Sequence, residues 1–101
     1  MKAIRVQYKV QESYVNQNKV NIKAVMDELI SKNIQGINYS SYYLGDGNFM
    51  HLNISKDELA LAKFNTVESF IEFRTQLKAS GPVIPPKSED IEVVGANFEL
   101  G

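Results

Sequence analysis

Cysteine and tryptophan are both absent from this 101-residue chain, and histidine occurs once. Without cysteine there is no disulfide, no thiol nucleophile and no thiolate-bound metal. A lone His51 among scattered carboxylates has no metal-ligand spacing, so the expectation is no metal. The glycine-rich stretch Gly45-Asp46-Gly47 is not followed directly by a helix, so it is not read as a phosphate cradle. An excess of one charge is missing too. With 11 basic and 12 acidic residues the net charge is -1, and no basic arm or stripe points to nucleic acid or anionic lipid. No apolar run approaches the roughly 20 residues of a membrane span. The opening MKAIRVQYKV alternates where a signal peptide would carry an apolar block. The expectations are therefore no nucleic-acid partner, no membrane partner and a cytoplasmic location.

What remains is ordinary globular composition, 44% hydrophobic and 23% charged, at a length that suits one domain spanning residues 1–101. Ile4, Val6, Tyr8 and Val10 alternate with Arg5, Gln7 and Lys9, as in a half-buried strand. Asn16 and Asn18 precede a run from about Lys19 to Asn33. There Ile22, Val25, Met26, Leu29 and Ile30 recur at helical spacing, and Gly36 stands beyond the end. Ile37 to Leu44 reads as a second strand and Phe49 to Ile54 as a third, joined by a hairpin turn at Asp46-Gly47. Ser55 with Glu58 predicts a capping box for a short helix near 56–63, and Asn65 with Glu68 predicts one for a helix near 66–79. That second helix buries Val67, Phe70, Ile71, Phe73 and Leu77. Residues 80–90 hold all three prolines and read as a stiff, exposed connection. Ile91 to Phe98 reads as the last strand. The order predicts an α+β, ferredoxin-like β-α-β-β-α-β fold whose antiparallel four-stranded sheet has its first and third strands in the centre and both crossovers on one face.

A two-residue turn sets Leu44 opposite Phe49, Tyr42 opposite His51 and Ser40 opposite Asn53. The helices are then expected over Ile37, Tyr39, Ser41, Tyr43, Met50, Leu52 and Ile54, together with Ile4, Val6, Tyr8 and Val10. The open face keeps Arg5, Gln7, Lys9, Tyr42, Leu44, Phe49 and His51. That mixed patch predicts a homodimer closing sheet to sheet. One extra residue in the turn would exchange the faces.

The run Phe49-Met50-His51-Leu52, the acidic helix start Asp57-Glu58, the spaced Ala62 and Phe64, Ser69-Phe70-Ile71-Glu72-Phe73 with Leu77, and the ending Ile91-Glu92-Val93-Val94-Gly95 resemble antibiotic-biosynthesis monooxygenase-like (quinol monooxygenase-like) domains. The resemblance implies a dimeric α/β barrel. In the enzymatic members it implies oxidation of quinols or polycyclic aromatics without metal or flavin. From the residues themselves, His51 is the one side chain that titrates near neutrality, and it is the candidate base for a phenolic proton. Tyr8, Tyr39, Tyr42 and Tyr43 are candidates to stack on a planar ligand and bond its oxygens. Arg74, one turn from Phe70, is a candidate for a ligand carboxylate or enolate. The functional expectation is a cofactor-independent monooxygenase acting on a small hydroxylated aromatic. The alternatives are a non-catalytic binder of a small aromatic ligand and a purely structural dimeric domain.

Overall fold

The computed structural model describes residues 1–100. Strand β1 (Lys2–Lys9) leads through a single 3-10 turn to helix α1 (Val15–Ser31). Strands β2 (Ile37–Gly45) and β3 (Asn48–Ser55) form the hairpin. Helices α2 (Glu58–Phe64) and α3 (Glu68–Ala79) make the second crossover to β4 (Ile84–Asp90). The sheet runs β2-β3-β1-β4 and every pair is antiparallel. This is the ferredoxin-like arrangement, with β1 and β3 central. One face carries the core, in which Tyr8, Val10 and Phe49 from the sheet meet Val15, Val25, Phe64, Phe73 and Leu77 from the helices. Among the described residues no helix is long and apolar enough to cross a membrane.

The hairpin turn is where expected, with Gly45 opposite Asn48, but the next pair is Tyr43 with Phe49. Leu44 is an extra residue, a bulge beside Gly45, which adopts φ 89°. A bulge of this kind needs a glycine or its equivalent in the left-handed region. The slip places Ser41 opposite His51 and Tyr39 opposite Asn53. On the other side of β3, Tyr8 lies opposite Phe49 and Val6 opposite His51. Phe49 and His51 thus face the helices, contrary to the two-residue reading. Met50, Leu52 and Ile54 turn to the open face, beside Arg5, Gln7, Ser40 and Tyr42. Gly47 also holds a positive φ of 81°, and a Cβ there would come within 2.6 Å of the Val10 carbonyl oxygen. The chain needs glycine at that point, because the Val10 N–H donates to the Gly47 carbonyl across the same gap.

Four other expectations are corrected. α1 starts at Val15, with no side-chain cap, and Asn18 lies within it, fully buried. Ile30, placed in the apolar stripe of that helix, is 77% exposed, and Ile71 of α3 is exposed as well. Asp57, not Ser55, caps α2, its Oδ1 accepting the Ala60 N–H at 2.8 Å. Ser55 stays in the strand and donates to Asn53 Oδ1. α3 has no local side-chain cap. Instead Glu28 of α1 accepts the Ser69 N–H at 2.8 Å and pairs with Lys32 at 2.6 Å. The Lys32 and Ser69 contacts hold its carboxyl down at about 2. A cap supplied from a distant helix leaves no local pattern in the sequence.

The last strand is Ile84–Asp90, not Ile91 to Phe98, so the proline-bearing segment is the edge strand itself. Proline lacks the N–H a central strand would need, but an edge tolerates it. The ladder is irregular between the Lys9–Ile84 and Gln7–Lys87 pairs, where Pro85 and Pro86 fall. The apolar alternation after residue 90 finds no strand to pair with. Asp90 is already opposite Ile4, and one more bond, Ile91 N–H to the Ala3 carbonyl, brings the ladder to the start of β1.

Candidate active site

The slipped register brings one side chain from each of three strands into a row. Tyr8 of β1, His51 of β3 and Tyr39 of β2 point toward the helices. The His51 ring lies nearly parallel to both tyrosines, at 5.3 Å from Tyr8 and 5.8 Å from Tyr39. Hydrogen bonds tie the row together. Asn18 Nδ2 donates to the Tyr8 hydroxyl at 2.8 Å. His51 Nε2 is 2.7 Å from that hydroxyl. On its other side, Nδ1 is 2.6 Å from Ser41 Oγ and 2.9 Å from Tyr39 Oη. The Tyr8 hydroxyl receives the Asn18 proton, and its own proton has Nε2 as its partner. The neutral imidazole therefore accepts at Nε2 and carries its proton on Nδ1, which it shares between Ser41 and Tyr39.

Burial decides the charges here. His51 is 3% exposed, and loss of hydration lowers its pKa to about 4. The same cause pushes the Tyr8 and Tyr39 phenols up, opposed by the bonds from Asn18 and Ser41. At neutral pH the whole network is uncharged.

This network floors a cleft of about 720 Å³, a size suited to a small organic ligand. Val6 and Asn53 extend the floor, while Phe70, Phe73 and Leu77 of α3 form the roof. Phe73 sits 5.4 Å from the His51 ring, and Phe70 meets Tyr39 edge-on at 6.2 Å. The lining is mostly apolar, and Asn53, Asn65, Ser88, Arg74 and Lys78 are its other polar members. Among the described residues no three of His, Cys, Asp and Glu gather as a metal would require.

Of the residues singled out from the sequence, His51, Tyr8, Tyr39 and Arg74 all line the cleft. Tyr42 does not. It is on the open face, and its hydroxyl donates to Ser40. Tyr43 faces the helices but outside the cleft, packed on Phe49 at 4.9 Å and accepting the Gly47 N–H. Sequence reasoning missed Asn18, which looked like a helix cap, and Asn53, which the unslipped register placed on the open face.

The chain has the fold of the antibiotic biosynthesis monooxygenases. One antibiotic biosynthesis monooxygenase superposes with a TM-score of 0.77 at 12% identity, over 94% of this chain and 100% of the other. SnoaB, a cofactor-independent oxygenase from Streptomyces nogalater, superposes with a TM-score of 0.70 at 10% identity, over 97% of each chain. The same shape also occurs in a protein of unknown function from Nitrosomonas europaea, at a TM-score of 0.79 and 14% identity, over 99% of this chain and 95% of that one. No family model matches the chain, and no curated protein matches it by sequence.

Proposed function

We propose that this chain is a cofactor-independent monooxygenase of small hydroxylated aromatics, and that the cleft beneath α3 is its active site. The observation that carries the reading is the hydroxyl–imidazole–hydroxyl row in the floor of a mostly apolar cleft. A planar ring fits between Phe70, Phe73 and the floor, with its hydroxyl against Tyr8 and Tyr39. The substrate hydroxyl donates to the Tyr8 oxygen as Tyr8 passes its own proton to His51 Nε2, while Tyr39 bonds the Nδ1 side of the ring. Burial makes the imidazolium costly in the empty cleft. The phenolate formed beside it supplies the opposite charge that water no longer supplies. The electron-rich anion then reacts with dioxygen directly. For hydroquinone the balance is one dioxygen consumed, one hydroxyquinone formed and one water released. One oxygen atom enters the ring, the other leaves as water, and all four electrons come from the substrate. The protein binds, deprotonates and excludes bulk water.

The open sheet face supports a second copy as partner. Met50, Leu52 and Ile54 form an apolar strip there, flanked by the Arg5–Glu89 ion pair at 3.2 Å. A sheet-to-sheet homodimer would cover that strip.

An oxygen electrode tests the reading. With hydroquinone, uptake above the buffer rate is expected and should vanish in His51→Ala. Tyr39→Phe, which keeps the ring, is expected to retain the fold and lose rate. The acid limb of kcat/KM should fall at about 4, where His51 titrates, because this parameter reports the unliganded protein. Undiminished uptake in His51→Ala would remove His51 from the reaction, whereas an acid limb near 6.5 would mean a hydrated His51 and contradict the buried row. A second reading, binding without turnover, is favoured by one observation: both ring nitrogens of His51 are already bonded. It predicts thermal stabilisation by hydroquinone with no oxygen consumed.

A further inference from the structure

We propose that the ligand of this cleft is a hydroxyaryl carboxylate, gripped at its acid end by Arg74 and Lys78; the inference rests on the reading of the cleft as a site for hydroxylated aromatics. Arg74 and Lys78 are the charged side chains that line the cleft, and both are cationic. They stand one helical turn apart on the same side of α3, a spacing at which like charges repel. Among the described residues neither forms an ion pair. Arg74 is not simply waving in solvent. Its guanidinium stacks 4.7 Å from the Phe70 ring centre, and Phe70 is part of the cleft roof.

Nearby carboxylates are committed elsewhere. Glu89 pairs with Arg5 on the far side of the sheet. Glu58 pairs with Lys2, and Asp57 caps α2. Glu72 accepts from Gln76 on α3. The elements facing the two cations present Asn65, Ser88 and prolines to the cleft, and none of these can neutralise a charge. The polar network of Tyr8, Tyr39 and His51 bonds a hydroxyl but is uncharged, so nothing in the floor repels or attracts an anion. The charge preference of the site is therefore set by Arg74 and Lys78, and it favours a ligand with a carboxylate on the side away from its hydroxyl. A planar guanidinium held in place suits the two carboxylate oxygens.

The test compares 4-hydroxycinnamate with 4-hydroxycinnamamide, which has the same shape and no charge, by calorimetry at low salt. The carboxylate is expected to bind about tenfold tighter or more, with the advantage shrinking as salt is raised. In the double variant Arg74→Gln, Lys78→Gln the two ligands should bind equally, at the affinity the amide shows for the native protein. Both side chains are on the exposed side of α3, so the variant should fold. Equal affinities in the native protein, or a carboxylate preference that survives in the variant, would overturn the proposal while leaving the aromatic site standing. If neither compound binds, the aromatic site itself fails and the proposal with it.

Discussion

The imidazole C–H resonances of His51 are expected to hold their neutral positions as the pH falls through 6.5 and to move only near 4. The chain has one histidine, so the signal needs no assignment against others. The cause is burial. An imidazolium behind Tyr8, Phe73 and Tyr39 loses its water, and none of the three neighbouring hydroxyls, of Tyr8, Ser41 and Tyr39, carries a charge to replace it. The consequence for stability has a definite sign. Above pH 6.5 both folded and unfolded chains hold a neutral imidazole, and the contribution is whole. As pH falls from 6.5 toward 4 the unfolded chain takes up a proton that the folded chain refuses, so stability is lost across that window. The shift corresponds to about 3 kcal/mol, readable as a falling urea midpoint. Glu28 adds a separate acid loss, from 4.5 down to about 2, because its folded carboxyl is held low. A normal titration near 6.5 with a flat stability curve would mean that His51 is hydrated and the row of rings is open.

Phe64→Ala is expected to cost about 3–5 kcal/mol, and to lower the melting temperature by roughly 15 °C or more. The ring is wholly buried at the end of α2. It packs 4.4 Å from Phe70 and 4.8 Å from Tyr39. Removing it leaves a void that three elements border, and none can collapse into it without shifting the others. The loss also reaches the cleft, since Phe70 and Tyr39 are two of its walls. Phe64→Leu, which keeps most of the volume, should recover the larger part of the stability. A calorimetric melt decides the matter, and a drop of only a few degrees for Phe64→Ala would mean that α2 packs loosely.

The order from β1 to α3 was legible in the sequence because those helices and strands carry their own periods, and Asp46-Gly47 fixes the hairpin. What failed was the face of β3. A single bulged residue, Leu44, reverses that face, and the local pattern of Phe49 to Ile54 reads equally well either way, since Phe49 and His51 alternate with Met50, Leu52 and Ile54. The register is decided by packing, which buries Phe49 against Tyr8 at 5.6 Å. β4 was missed for a related reason. Ile84-Pro85-Pro86 has the composition of a loop, and only its place at the sheet edge makes it a strand. Asn18 was beyond reach because a buried asparagine in mid-helix has meaning only once Tyr8 is seen beside it. Residue identity did suggest His51, Tyr8, Tyr39 and Arg74. Their gathering about one cleft required the bulge.

The most direct measurement is an oxygen-free NMR titration of the protein with hydroquinone, following the His51 ring, the aromatic rings of Tyr39 and Phe73, and the Met50 methyl. A ligand lying in the cleft predicts shifts at His51, Tyr39 and Phe73, with Met50 on the opposite face of the sheet unmoved. Shifts confined to Met50, or no shift at saturating hydroquinone, would contradict it.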